Sequence, residues 1–493
     1  MPLLPYIINS FRGGISDEND KGISGSFKFG SNLDIHKRND SITCGQRMLT
    51  VLDATRGMAD YGGTTMTNLI NVFVAGSDGS TYAFGATGSI FARTDEGNWT
   101  FVYQDENGAI KGAVEHEDEN GNNYLYWATS TSIARKPFPG SNSAPDTGTM
   151  RWTDVTLEWK SEFILLSDWH PMKIAGGNLN IGNAELLAQL DFDGDFDPSI
   201  TNIRPGNNIT CLEERDDMVI LGSDRTDEAE EAYLWSWIET ATNYVEKKRI
   251  PAKGINTLIY GELPLCQAGD KGEIFYSDFT NTIPVGAIHG NGFCLPHASC
   301  IYNGLSMFGF SGSSHPGIWS YGRKAKNRSQ ILNYEYRLMN ETGGGGSTSS
   351  IGAMITVNGV LLASWGNSAG SYGVDQVSTT TKADAYYDGL EFDGGKPFWK
   401  KHVNSIKLTM SPMPANTGVA VRFKGNNETD WRYAIQGSGA TTFSYTDATE
   451  TVFTIDKPTE LLEVGVDLFP YLNTTPEVLS ITTYLDDSGY EFN

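Results

Sequence analysis

Positive charge is scarce in this chain. Only 36 Lys and Arg stand against 60 Asp and Glu in 493 residues, a formal net charge of −24. A surface of that sign repels nucleic-acid phosphates and excludes general DNA or RNA binding, but it suits a wall along which DNA slides. Cysteine is scarce too. The five (Cys44, Cys211, Cys266, Cys294 and Cys300) are odd in number and scattered, which fits neither a disulfide framework nor a zinc set. Reduced, mostly buried thiols of a protein made in a cytoplasm are expected. No apolar run approaches the length of a membrane-spanning helix, so no span is expected. The opening MPLLPYIINSFRGG has no basic stretch before its apolar residues, so no signal peptide is expected either.

Catalytic patterns are missing as well. The seven histidines show no HxH or HExxH spacing, and no GxSxG or phosphate-cradling loop occurs. Arginines are too sparse to supply three at equivalent positions for a sialidase-type carboxylate clamp. With 60 acidic residues, some carboxylate pair always exists on paper, so a glycosidase reading gains nothing from one. The run DFDGDFDPS, with Asp191, Asp193, Asp195 and Asp197, has its Gly too early for an EF-hand and Asn202 where Glu is needed. It reads as a solvated turn. No catalytic residue, cofactor or metal is expected.

What the chain does have is glycine (55 residues), aromatics (11%) and a recurring phrase. The phrase is clearest at 207–225, NNITCLEERDDMVILGSDR: a short apolar strand, a charged turn, and a second strand ending in Gly222. Related phrases occupy 60–84, 110–135, 173–191, 257–278, 299–323 and 352–374. Seven units at a period of roughly 40–60 residues predict an all-β chain built around a seven-bladed β-propeller. Aromatic-bearing strands recur within the units and suit the tapering gap between blades. Helical flavour is confined to 226–232 and 330–339.

The propeller is expected over 51–384. Residues 1–50 read as an extended arm plus a closing strand, placed at 27–36 by the alternation of Phe27, Phe29, Leu33 and Ile35. Over 385–493 the phrase stops and longer strands appear with Pro at their junctions, which predicts a C-terminal β-sandwich. RKAKNR at 323–328 is the one basic cluster. It reads as a solvated loop or as a contact for DNA or an acidic neighbour.

Three segments together resemble a known family. They are FRGGISDENDKGISGSFKFGSNLDIHKR at the start, GIWSYGRKAKNRSQILNYEY with IGAMITVNGVLLASWGNSAGSYGVD, and the carboxyl module with ADAYYDGLEFD and TPEVLSITTYLDD. They are similar to the propeller-bearing tail hub or nozzle proteins of tailed bacteriophages. The resemblance implies a structural virion protein forming a homo-oligomeric ring, a hexamer in that family. Such a ring lies below the portal and adaptor, seats other tail proteins, and lets DNA through without reading its sequence. Phe11, Arg12, Gly13, Gly14 and Ile15 are the residues expected at the assembly interface. An arm of this kind should be removable, with deletion of residues 1–25 leaving a folded monomer. The alternative is a receptor- or glycan-binding tail protein stacking sugars on exposed Trp365 or Trp431. A glycan hydrolase on the same scaffold ranks below both.

Overall fold

The computed structural model describes residues 4–16, 25–36, 40–53, 66–94, 99–137, 152, 155–156, 163–227, 229–288, 292–312, 314–324, 326, 328–338, 348–393, 400–426 and 428–486. Among these, every regular element is a β-strand, and no helix is long and apolar enough to cross a membrane. The chain forms two compact units. One comprises 49–317 with 338–376, and the other 1–48, 318–337 and 377–493.

The first unit is a β-propeller. Each recurring phrase of the sequence makes one antiparallel sheet, beginning with the strands Ile70–Ala75, Gly112–Glu117, Met172–Ala175, Asn207–Arg215, Ile255–Tyr260, Phe293–Tyr302 and Thr348–Val357. Each first strand packs beside the next, and the seventh returns to the first, so the ring is closed. Apolar clusters fill the wedges between neighbouring sheets. Val72, Phe84, Leu125 and Trp127 lie between the first and second, and Leu187, Ile209, Leu221 and Trp235 between the third and fourth. Large side chains thus fill the gap between sheets.

Turn chemistry explains the hairpins. Asn303-Gly304 and Asn358-Gly359 each link two strands in exact two-residue register, with all four residues at positive φ (50°, 75°, 50° and 76°). That conformation matches the twist of the flanking strands. The fourth sheet makes the same turn from Asp216 and Asp217, at φ 47° and 64°, where Asn-Gly would be easier.

The ring closes through an amino-terminal strand, but not the expected one. Gln46–Asp53 is the outermost strand of the seventh sheet, with Met48, Thr50 and Leu52 turned inward. Thr50 Oγ1 donates to Asp375 Oδ1 at 2.8 Å, and the same oxygen accepts from Trp365 Nε1 at 2.7 Å. The segment expected to close the ring is broken instead into Ser26–Phe27 and Phe29–Ser31, with Asn32 beyond them at φ 55°. Of its alternating residues, Phe27, Leu33 and Ile35 are buried in the core of the second unit, and Phe29 is half-buried.

That second unit has two sheets over one core. Leu4–Ile8, Glu477–Asp486, Lys401–Met410 and Glu450–Thr459 form one. Ile331–Tyr336, Phe29–Ser31, Ala385–Asp388, Leu462–Phe469 and Gly418–Gly425 lie side by side in the other. Ile406, Leu408, Val421, Val466 and Phe453 meet between them. Ile331–Tyr336 was expected to lean helical. It is a strand because all six of its side chains are buried, and packing overrides local preference.

Candidate functional site

The residues expected at an assembly interface divide in two. Phe11 was expected to be exposed; it is fully buried and meets Tyr387 edge-on at 5.4 Å. Gly14 is also buried, at φ 69°, and a side chain there would press on the Leu332 carbonyl at 2.9 Å. Phe11 and Gly14 are therefore internal packing groups of the second unit. Arg12 is exposed, and Gly13 and Ile15 are half-buried. Side-chain chemistry explains the difference: an aromatic ring gains more from a core than from solvent, whereas the Arg12 guanidinium stays hydrated. Leu4–Ile8 lies at a sheet edge and exposes Tyr6 (39%) and Ile7 (53%).

Trp365, expected as an exposed sugar platform, is 1% exposed and hydrogen-bonded to Asp375. It cannot stack on a ligand. Trp431 is half-buried, with the Arg422 guanidinium 4.8 Å and the Lys424 ammonium 4.9 Å from its ring centre.

The bore of the propeller is crossed by side chains. Trp169 precedes the first strand of the third sheet, and His297 lies on the first strand of the sixth, nearly opposite around the ring. Their rings stack with centroids 6.2 Å apart. Trp169 Nε1 donates to the Thr210 carbonyl at 2.9 Å, and the Lys111 ammonium lies 5.8 Å from its ring centre. Burial, and then the Lys173 charge, push the His297 pKa down to about 4, so this imidazole is neutral at pH 7. A bore filled in this way passes no macromolecule. Sequence reasoning missed it because 128 residues separate the two rings.

One end of the propeller is acidic. The turns joining first to second strands lie at one end, where the Ser77 amide of the first sheet's turn donates to Glu115 Oε2 on the first strand of the second sheet at 2.7 Å. These turns carry Asp78, Asp118, Glu119, Asp216, Asp217 and Glu262, and Glu214 lies at the end of the strand that leads into one of them. The Asp191–Asp195 turn belongs to the same end of the third sheet. The Asp191 carboxylate there accepts from the Asp195 amide at 2.8 Å, capping its own turn. Among the described residues, no three His, Cys, Asp or Glu side chains converge as metal ligands would.

A Ser–His–Glu group does form in the second unit, and it resembles a catalytic triad only in composition. His36 Nε2 lies 3.0 Å from Ser320 Oγ, which donates to Glu335 Oε2 at 2.9 Å. All three are buried, so no substrate reaches them. Burial, the largest cause, pushes His36 down to about 3 and raises the Glu335 carboxyl. The group is a polar joint within a core. Two cations of the RKAKNR cluster serve the same joint: Arg328 donates to the His36 carbonyl at 2.6 Å, and Lys324 lies 3.4 Å from Asp34. The thiols of Cys44, Cys211 and Cys300 are pushed up to about 12 by burial, the opposite of a nucleophile's environment.

No protein-family model matches the chain, and no curated protein does. Among solved structures, it is similar to the WD40 β-propeller domain of Doa1, at 12% identity and a TM-score of 0.44, over 63% of this chain and 94% of that one. It is also similar to the extracellular domain of a one-component system from B. thetaiotaomicron, at 12% identity and a TM-score of 0.42. That match spans 81% of this chain and about half (48%) of the other.

Proposed function

We propose that this protein is a non-enzymatic structural component of a tailed-bacteriophage virion. In this reading it is a hub- or nozzle-like subunit that assembles into a ring below the portal and adaptor and seats other tail proteins. The observation that carries the reading is the resemblance of the amino-terminal, 317–375 and carboxyl segments to that family. The charge distribution supports it. The propeller unit holds 16 Lys and Arg against 38 Asp and Glu, a formal −22 of the chain's −24. A wall of that sign lets DNA pass without adhering. Because the propeller's own bore is filled, DNA would travel through the lumen enclosed by several copies. Such copies would meet head to tail around a closed ring. The interface reading then narrows to Arg12, Gly13 and Ile15 beside the exposed edge of Leu4–Ile8.

The test is native mass by multi-angle light scattering. Wild-type protein is expected to run as a closed oligomer, and Arg12→Glu as a monomer with an unchanged melting temperature. Deleting residues 1–25 is a poorer assay, because it strips Phe11 from a core and a strand from a sheet. A wild-type chain that stays monomeric at every concentration would remove the self-assembling ring. The receptor- or glycan-binding reading would then lead.

A further inference from the structure

Opposite the acidic turns, the propeller has a cleft of about 320 Å³ where the fourth, fifth and sixth sheets adjoin. That volume lies near the lower end of the range for small-molecule sites, roughly 300–1,000 Å³. The lining shows a built arrangement. Gly254 and Gly269 line it, at φ 76° and 67°, and the Gly269 amide donates to the Gly254 carbonyl at 3.0 Å. A side chain on Gly254 would meet the Asp224 Cβ at 3.1 Å and intrude on the space.

Asn256 lines the same cleft, held by a buried partner. Its Nδ2 donates to Gln267 Oε1 at 2.8 Å and to the Gly269 carbonyl at 2.7 Å. Gln267 is fully buried and also accepts from the Cys294 amide at 2.9 Å. With both amide hydrogens engaged, Asn256 has its Oδ1 acceptor left to offer. Asp224 also lines the cleft, its carboxylate steadied by hydrogen bonds from Asn208. Phe293, 39% exposed, adds an apolar ring to the lining.

Charge decides the class of ligand. Arg225 is already answered by Asp227 at 2.8 Å and Glu231 at 2.9 Å. The other charged groups are the two carboxylates, Asp224 and Asp270, and Lys253. An anionic ligand would face an excess of negative charge, and a cation would compete with Lys253. Acceptors beside an exposed aromatic ring match an uncharged polyol with hydroxyls along its edge and C–H groups on its face. We propose that this cleft binds a neutral saccharide of one or two sugar rings. The proposal rests on the propeller alone and stands whether or not the chain assembles into a ring.

The experiment is saturation-transfer NMR on the full chain. The probes are glucose, galactose, mannose, N-acetylglucosamine and their disaccharides, with sialic acid and putrescine as the charged rivals. At least one neutral sugar is expected to receive saturation. Its affinity should fall about tenfold in Phe293→Ala, the equivalent of one aromatic contact. Asp270→Asn should reduce it less, and the melting temperature of either variant should match wild type. If Asp270→Asn melts early, Phe293→Ala decides alone; if both do, competition between the bound sugar and putrescine decides, and displacement by putrescine counts against the proposal. Transfer to sialic acid or putrescine only, no transfer to any neutral sugar, or transfer unchanged in Phe293→Ala would overturn it.

Discussion

His297 shows how one side chain can make the propeller acid-sensitive. Its pKa in the folded chain is about 4, against an ordinary value of 6.5. Between those values the unfolded chain takes up a proton that the folded bore refuses. Stability from this residue is therefore present above pH 6.5 and lost as pH falls toward 4, at up to about 1.4 kcal/mol per pH unit. Burial depresses His116 and His170 in the same direction, whereas Asp224, raised by burial, opposes them. His297→Gln is expected to flatten the fall in melting temperature between pH 6.5 and 4, as followed by circular dichroism. At the Asp216-Asp217 turn the prediction runs toward stability. Asp217→Gly relieves a positive φ and removes one charge from an acidic end, which should stabilise by up to about 1 kcal/mol in urea titrations.

At the level of elements, Asp375 joins the closing strand to the sheet it completes. It is fully buried and accepts from both Thr50 and Trp365. Asp375→Ala leaves two donors unanswered and should cost about 3 kcal/mol, read as a lower melting temperature with a broadened propeller transition. Elements were the part of the fold most legible in the sequence. The phrase of strand, polar turn and strand is local, so each repeat could be read wherever it occurred. The closing strand was less legible. Gln46–Asp53 alternates no more cleanly than 27–36, and only its pairing with Tyr372–Lys382 identifies it. The Trp169–His297 stack and the cleft around Asn256 were not legible at all. Their members are brought together by the ring, and no spacing along the chain encodes that meeting.

Across the whole molecule, charge and chain path are unevenly shared. Self-repulsion among the propeller's acidic groups should weaken with added salt. Its melting temperature is therefore expected to rise between 20 and 500 mM sodium chloride, with a smaller change in the second unit, whose 20 Lys and Arg nearly balance 22 Asp and Glu. Separate domains with borders near 50 and 384 would be expected to survive as fragments. The units interleave along the chain, however, as 1–48, 318–337 and 377–493 in one and the rest in the other. Fragment 51–384 lacks part of the closing strand, and 385–493 lacks the strands Leu4–Ile8, Phe29–Ser31 and Ile331–Tyr336. Neither is expected to give a cooperative melt, whereas the full chain should.

The closing strand also sets a schedule. Gln46–Asp53 leaves the ribosome before its partner Tyr372–Lys382, which is made more than three hundred residues later. At about 5–20 residues per second, that interval is on the order of 15–65 s. Through all of it, a strand with one inward-turned face has no sheet to join. A nascent chain of this protein is therefore a natural client for a holding chaperone, and a circular permutant that begins after Asp53 and carries Gln46–Asp53 at its end would shorten the wait.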